Sequence, residues 1–145
     1  MEYAIENEYL IVTVTTWGAQ VKSVVRKFDD VEHMWQADKS VWGYHAPILF
    51  PHTGKVVDDL IETKGEVYQA KQHGFARLME HTLVRQTEDT IVMELRSSEE
   101  TLRIFPYAFR LVSTFTLDGD TLHHKLTVEN WDADKPVSYT HLTLP

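Results

Sequence analysis

The chain has 145 residues, of which 43% are hydrophobic and 25% are charged, a mixture typical of one soluble globular domain with a sizeable core. Lys and Arg number 14 against 22 Asp and Glu, giving a net charge of -8, which opposes binding to nucleic acid and to anionic membrane surfaces. The sequence has no cysteine and no long apolar run near its start. We therefore expect no disulfides, no secretory signal and no membrane-spanning helix. A cytoplasmic location is the default, although a chain without cysteine fits an oxidising compartment equally well.

The first predicted strands lie near the amino terminus. Alternate positions from Leu10 to Val14 share one face, which predicts a strand. Trp17-Gly18 interrupts the pattern, and residues 20–27 resume it as an antiparallel partner. Asp29-Asp30 indicates a turn, after which residues 31–36 predict one more short strand.

The middle of the chain carries weaker patterns. Residues 37–71 contain scattered Pro, Gly and Asp and few alternating positions, so we predict loops with short strands, where binding residues tend to collect. Residues 81–86 and 90–96 alternate again, and the three polar residues between them predict a hairpin.

A short helix is predicted after this hairpin. Ser97 is followed three residues later by Glu100, which fits a capping box. We therefore predict one or two helical turns over residues 98–104. Pro106 ends the segment, because the residue before a proline is disfavoured in helical geometry.

The clearest structural pattern lies in the last third of the chain. Large apolar residues alternate with polar ones on both sides of Asp118-Gly119, and a two-residue Asp-Gly connection favours a type I′ hairpin turn. The alternating residues are Phe109, Leu111, Phe115, Leu117, Leu122, Leu126 and Val128. With many short strands and one weak helix, the sequence predicts an all-β fold, a sandwich of antiparallel sheets.

Groups that handle ligands concentrate in two stretches. Residues 72–77, Gln-His-Gly-Phe-Ala-Arg, put an imidazole, a glycine, an aromatic ring and a guanidinium within six positions. Residues 42–55, Trp-Gly-Tyr-His-Ala-Pro-Ile-Leu-Phe-Pro-His-Thr-Gly-Lys, form an aromatic and basic segment that two prolines keep extended. We expect these stretches to be two walls of one site.

The eight histidines raise the question of a metal site. His45 and His52 lack the spacing of a helical zinc motif, and so do His123 and His124. Adjacent residues on a strand also point to opposite faces. We therefore expect no bound metal.

The motifs A-P-x-L-F-P-x-x-G at residues 46–54 and Q-H-G-F-A-R at residues 72–77, in this order, resemble the galactose mutarotase-like (aldose 1-epimerase) family. The resemblance extends from about Glu8 to about Asp134. It implies the family's β-supersandwich and a hexose or hexose phosphate ligand, whose α and β anomers family members interconvert without a cofactor. It also implies a substrate-binding role for His73 and makes Lys55 and Arg77 candidates for contacts with a sugar or its phosphate. Trp42 and Phe75 are candidate binding residues because aromatic rings pack well against the apolar face of a pyranose.

Each of these residues has a plain structural alternative. His73 could be a loop histidine that bonds a backbone carbonyl, and Arg77 a surface ion-pair partner rather than a clamp for hydroxyls or phosphate. Lys55 stands where relatives commonly carry Arg, so any phosphate contact there becomes a point-charge contact. Trp42 and Phe75 either face a pyranose ring or belong to the core.

The resemblance further implies that the chain is the N-terminal half of a longer domain. Relatives place an acid His shortly after a Glu-Asn strand end and a base Glu much further on. Here Glu129-Asn130 is present, but residues 137–145 depart from the family pattern, with His141 as a candidate acid out of register. We expect residues 1–136 to be part of a mutarotase-like sandwich, residues 137–145 to be a foreign tail, and the catalytic pair to be missing.

One consequence of truncation and two alternative functions remain to be tested. A truncated sandwich would leave strand edges exposed, and these favour self-association. A non-catalytic carbohydrate-binding β-sandwich, complete as it stands, fits the same residues. A protein-interaction module would instead use the loop around His73 for protein contacts.

Overall fold

The computed structural model describes residues 1–132, and residues 140–142 as backbone only. The first sheet is antiparallel and follows chain order, with β1 (Glu2–Glu6), β2 (Leu10–Thr15), β3 (Gln20–Arg26) and β4 (Val31–Glu32). Burial alternates along β2 as predicted. The strand predicted over residues 31–36 is only two residues long, because the Glu32 carboxylate accepts hydrogen bonds from the N–H groups of Val24 and Met34 that a longer ladder would use.

The segment over residues 37–71 contains loops and one small hairpin, as predicted. This hairpin consists of β5 (Leu60–Thr63) and β6 (Glu66–Gln69). A 3-10 turn at Val57–Asp59 leads into it, and a second at Ala76–Leu78 follows it. Across the described residues, no helix has the length and hydropathy needed to cross a membrane.

The second sheet is built from the rest of the chain. Its strands are β7 (Thr82–Gln86), β8 (Thr90–Arg96), β9 (Phe109–Asp118), β10 (Thr121–Asn130) and β11 (Thr140–Leu142), in the spatial order β11-β10-β9-β8-β7. All neighbours pair antiparallel. Both predicted hairpins, β7–β8 and β9–β10, are confirmed.

The turn between β9 and β10 differs from the predicted type. Asp118 pairs with Thr121, so the two loop residues are Gly119 and Asp120 rather than Asp118 and Gly119. Gly119 has a φ of 56°, whereas Asp120 is not among the residues with positive φ. A positive φ at the first loop residue alone is the pattern of a type II′ turn, since type I′ requires it at both.

The predicted helix begins one residue later than expected. It is a single turn, α1 (Glu99–Leu102), whose N-cap is Ser98 rather than Ser97. Thr101, not Glu100, completes the capping box, because its hydroxyl accepts from the Ser98 N–H at 2.8 Å while the Ser98 hydroxyl accepts from the Thr101 N–H. The prediction chose the wrong N-cap because Ser97 and Ser98 are each followed three residues later by a residue that can complete a capping box, Glu100 and Thr101.

One hydrophobic cluster joins the two sheets. Its fully buried members come from both, among them Ile5, Val12, Val14, Ile91, Met93, Phe109, Leu111 and Phe115. Leu122, Leu126 and Val128 of β10 pack against it. The predicted all-β architecture of packed antiparallel sheets is therefore confirmed.

Candidate functional site

The two ligand-handling stretches are joined directly through their backbones. The carbonyl oxygen of Phe50 accepts from the N–H of Phe75 at 2.9 Å and from that of Ala76 at 3.2 Å. The N–H of His73 donates to the carbonyl of Gly54 at 2.9 Å. We call the joined residues 42–55 and 72–78 the signature wall.

Gly74 makes this approach possible. It has a φ of 68°, and a Cβ placed on it would lie 2.1 Å from the carbonyl oxygen of Phe50. Only a residue without a side chain fits there, so the close contact with Phe50 explains why the second motif has glycine at this position.

The imidazole of His73 is held in a defined orientation. Its Nδ1 accepts a hydrogen bond from the N–H of Gly54 at 3.0 Å, which places the proton of the neutral ring on Nε2. Nε2 lies 3.2 Å from the side-chain amide nitrogen of Gln72, which is also a donor and therefore does not accept the Nε2 proton. The ring therefore presents Nε2–H as a donor at the partly exposed edge of the wall.

The side chain of Arg77 contacts both stretches. Its guanidinium donates to the carbonyl of Gln72 at 3.0 Å and lies 5.0 Å from the ring centroid of Tyr44. The Tyr44 ring lies 6.0 Å from that of Trp42, which is half exposed. Arg77 therefore packs against the wall, and the Tyr44 ring contacts both Arg77 and Trp42.

The other two predicted residues have different surroundings. Lys55 is exposed, and its Nζ lies 3.8 Å from a carboxylate oxygen of Asp59. Phe75 is 8% exposed and packs against Phe50 and Phe109 at centroid distances of 5.9 Å. Of the two aromatic residues proposed as sugar platforms, Trp42 lies at the surface and Phe75 lies in the core.

A buried histidine supports the wall from behind. His81 is 1% exposed, and its Nε2 donates to the carbonyl of Ala76 at 3.0 Å, while its N–H donates to Thr16 at 2.8 Å. Burial lowers the pKa of His81 below its usual range. Neither the support from His81 nor the contact of Tyr44 with Arg77 was predicted from the sequence. The signal for Tyr44 was its place two residues from Trp42 in an extended segment.

The side chain of His141 and residues 133–139 and 143–145 lie outside the described part of the chain, and so does the expected boundary at residue 136. Within residues 1–132, no three His, Asp or Glu side chains are grouped so that they could hold a metal ion.

Comparison with known proteins matches the chain to the Aldose 1-epimerase family over residues 1–142. It is 32% identical over 144 residues to "Protein LacX, plasmid" of Lactococcus lactis subsp. lactis, which covers 96% of this chain and 48% of that protein. The chain therefore spans about half the length of the curated relatives it matches.

Two solved structures are similar in both fold and sequence. A galactose mutarotase related enzyme from Lactobacillus acidophilus has a TM-score of 0.88 at 36% identity, covering 90% of this chain and 43% of that one. A galactose mutarotase-like protein from Lactobacillus casei ATCC 334 has a TM-score of 0.89 at 33% identity, covering 92% and 46%.

Proposed function

Because the chain belongs to the aldose 1-epimerase family, we propose that its signature wall binds a hexose or a hexose phosphate, with the imidazole of His73 as the central contact. The family implies a sugar ligand. The observation that carries the proposal for this chain is the hydrogen bond from the Gly54 N–H to Nδ1 of His73. Because this bond occupies Nδ1, the Nε2–H group of His73 is the donor at the partly exposed edge of the wall, where the two family motifs are in contact.

The chemistry of the imidazole suits a sugar. A neutral ring with its proton on Nε2 donates to a hydroxyl or to the ring oxygen of a pyranose. The Gln72 amide, 3.2 Å from Nε2, offers both a donor and an acceptor to the same hydroxyl. Trp42, half exposed beside Tyr44, provides an aromatic surface for the C–H face of the ring.

Two cations bear on whether the ligand is phosphorylated. Arg77 is already committed to the Gln72 carbonyl and the Tyr44 ring. Lys55 is exposed and only loosely paired with Asp59, so it is the cation better placed to meet a phosphate as a point charge. In this proposal the described residues bind the ligand, and the two proton transfers of anomer exchange are not assigned to them.

Ligand-observed NMR titration with glucose, galactose and glucose 6-phosphate tests the proposal. We expect saturable binding that weakens at least about tenfold in His73→Asn, since Asn tolerates the φ of 67° at this position and cannot reproduce the imidazole contact. His33→Asn, an exposed histidine away from the wall, is the matched control and should bind as the parent chain does. A folded sample that responds to none of these sugars would refute the proposal.

Exchange spectroscopy on the same sugars separates binding from catalysis. Binding without faster α–β exchange supports the non-catalytic carbohydrate-binding alternative. Accelerated exchange that is lost in His141→Ala would instead assign catalysis to this chain and His141 as its acid.

A further inference from the structure

An apolar cavity lies against one side of the signature wall. This partly open cavity of about 300 Å³ is lined by Pro51 and His52, the β5–β6 hairpin, the segment after α1 and residues 74–79, and this volume is at the lower end of the range for ligand pockets. Its apolar lining includes Ile61, Tyr68, Phe75, Met79, Phe105 and Tyr107. His73 does not line it, and neither do Trp42, Lys55 and Arg77, the other surface residues of the proposed sugar site.

The cavity is held in shape by specific bonds rather than left by a loose hairpin. Thr63 and Tyr107 both line it, and their hydroxyls are hydrogen-bonded to each other. Nζ of Lys64 donates to the carbonyl of Pro106 at 2.8 Å and lies 4.5 Å from the Tyr107 ring centroid. The hairpin tip is thus fixed to the opposite side of the cavity.

Aromatic rings form much of the interior. Phe105 lies between Phe75 and Tyr107, with centroid distances of 6.2 Å and 5.0 Å and tilted ring planes. Tilted neighbours present both faces and edges to a third ring, which favours a flat guest over an aliphatic chain.

The charged groups at the cavity select against a charged guest. Lys71 and Glu100 both line it, and neither side chain has an ion-pair or hydrogen-bond partner among the described residues. One cation and one carboxylate give no net charge, and an ionised guest would lose hydration in an apolar interior. We propose that this cavity binds a small, uncharged, ring-bearing apolar molecule whose polar substituent meets Lys71 and Glu100.

The test uses naphthalene-2-methanol as the neutral probe, with naphthalene-2-carboxylate and naphthalene-2-methylammonium as charged comparisons. We expect the neutral probe to shift the methyl NMR signals of Ile61, Met79 and Ile104, and both charged probes to bind at least about threefold more weakly. Because these signals are read in the unmodified chain, this part of the test does not depend on any variant folding.

A pair of variants then locates the site. Ile61→Trp fills the cavity and should weaken the neutral probe at least about tenfold. Val67→Trp adds the same side chain to the exposed side of the same hairpin, where Val67 is 61% exposed, and should leave binding within about twofold. His73→Asn should also leave it unchanged, which separates this cavity from the proposed sugar site.

Three results would overturn the proposal. The first is an absence of methyl shifts at saturating probe, and the second is equal weakening in Ile61→Trp and Val67→Trp. The third is tighter binding of either charged probe than of naphthalene-2-methanol.

Discussion

The five-stranded sheet and the signature wall solve different problems with the same chain. In the sheet, every second side chain of β9 enters the core, so what matters at a buried position is volume and polarity. In the wall, the decisive contacts are made by backbone groups, such as the Phe50 carbonyl that meets Phe75 and Ala76. The sheet should therefore tolerate substitutions that conserve volume, whereas the wall should reject any side chain at the points where two backbones meet.

The largest expected effect follows from adding one methyl group to the wall. In Gly74→Ala the new Cβ would lie 2.1 Å from an oxygen and 2.4 Å from a carbon of the Phe50 carbonyl, at a φ that disfavours alanine. We expect a loss of at least about 5 kcal/mol in the free energy of unfolding, measured by urea titration.

Gly65→Ala is the matched control for that change. Gly65 has a φ of 77°, but no atom lies within 4 Å of a Cβ placed there. It should lose only the conformational cost, about 1 to 2 kcal/mol. Equal losses at both glycines would show that backbone conformation, and not the close approach of two segments, limits the wall.

The sheet gives the contrasting result. Leu111 of β9 is 1% exposed, so Leu111→Ala should lower the free energy of unfolding by about 3 to 5 kcal/mol through the cavity it leaves. Leu111→Met keeps the volume and should cost less than about 1.5 kcal/mol. If the two substitutions cost the same in urea unfolding, the sheet is as intolerant as the wall and the contrast fails.

Lowering the pH should reduce the free energy of unfolding through two buried histidines, His124 in the sheet and His81 behind the wall. In the sheet, burial against Phe115 lowers the pKa of His124 from its usual 6.5 to about 4. The unfolded chain binds this proton near pH 6.5 and the folded chain only near pH 4. The free energy of unfolding should therefore fall as the pH drops between these values, by up to about 3 kcal/mol, and this contribution should level off below them.

Variants divide this acid response between sheet and wall. His124→Leu should remove the larger part of the loss between pH 7 and pH 5, whereas His123→Gln, at the exposed neighbour, should keep it. The slope that persists in His124→Leu is expected from His81, whose pKa burial also lowers. An unchanged slope in His124→Leu would mean that His124 takes up its proton as readily in the folded chain as in the unfolded one.

The sequence predicted the sheet better than the wall for a physical reason. Alternation along β2 and β9 is a local pattern with period two, and it placed the strands and both later hairpins correctly. It could not set the turn type at Gly119, because that depends on the register of Asp118 with Thr121. The capping error at Ser97 has the same origin, since the choice between adjacent serines depends on where the chain leaves β8.

The wall was predicted through its motifs and not through its geometry. Its composition indicated that two stretches meet, but the positive φ of His73 and the bond from Gly54 depend on contacts between residues about twenty positions apart. The separation of Trp42 at the surface from Phe75 in the core was equally hidden. Both are aromatic, and the difference lies in which neighbours the folded chain supplies.

The smallest expected effect tests the contact of Arg77 with Tyr44 and with the Gln72 carbonyl. Arg77→Lys keeps the charge but loses the planar group that lies over Tyr44 and donates to the Gln72 carbonyl, which should cost about 1 kcal/mol in urea unfolding. Arg85→Lys, at an exposed position of β7, is the matched control and should change stability by less than about 0.5 kcal/mol. A cost at Arg77 no larger than at Arg85 would mean that the planar guanidinium of Arg77 contributes nothing to the wall beyond its charge.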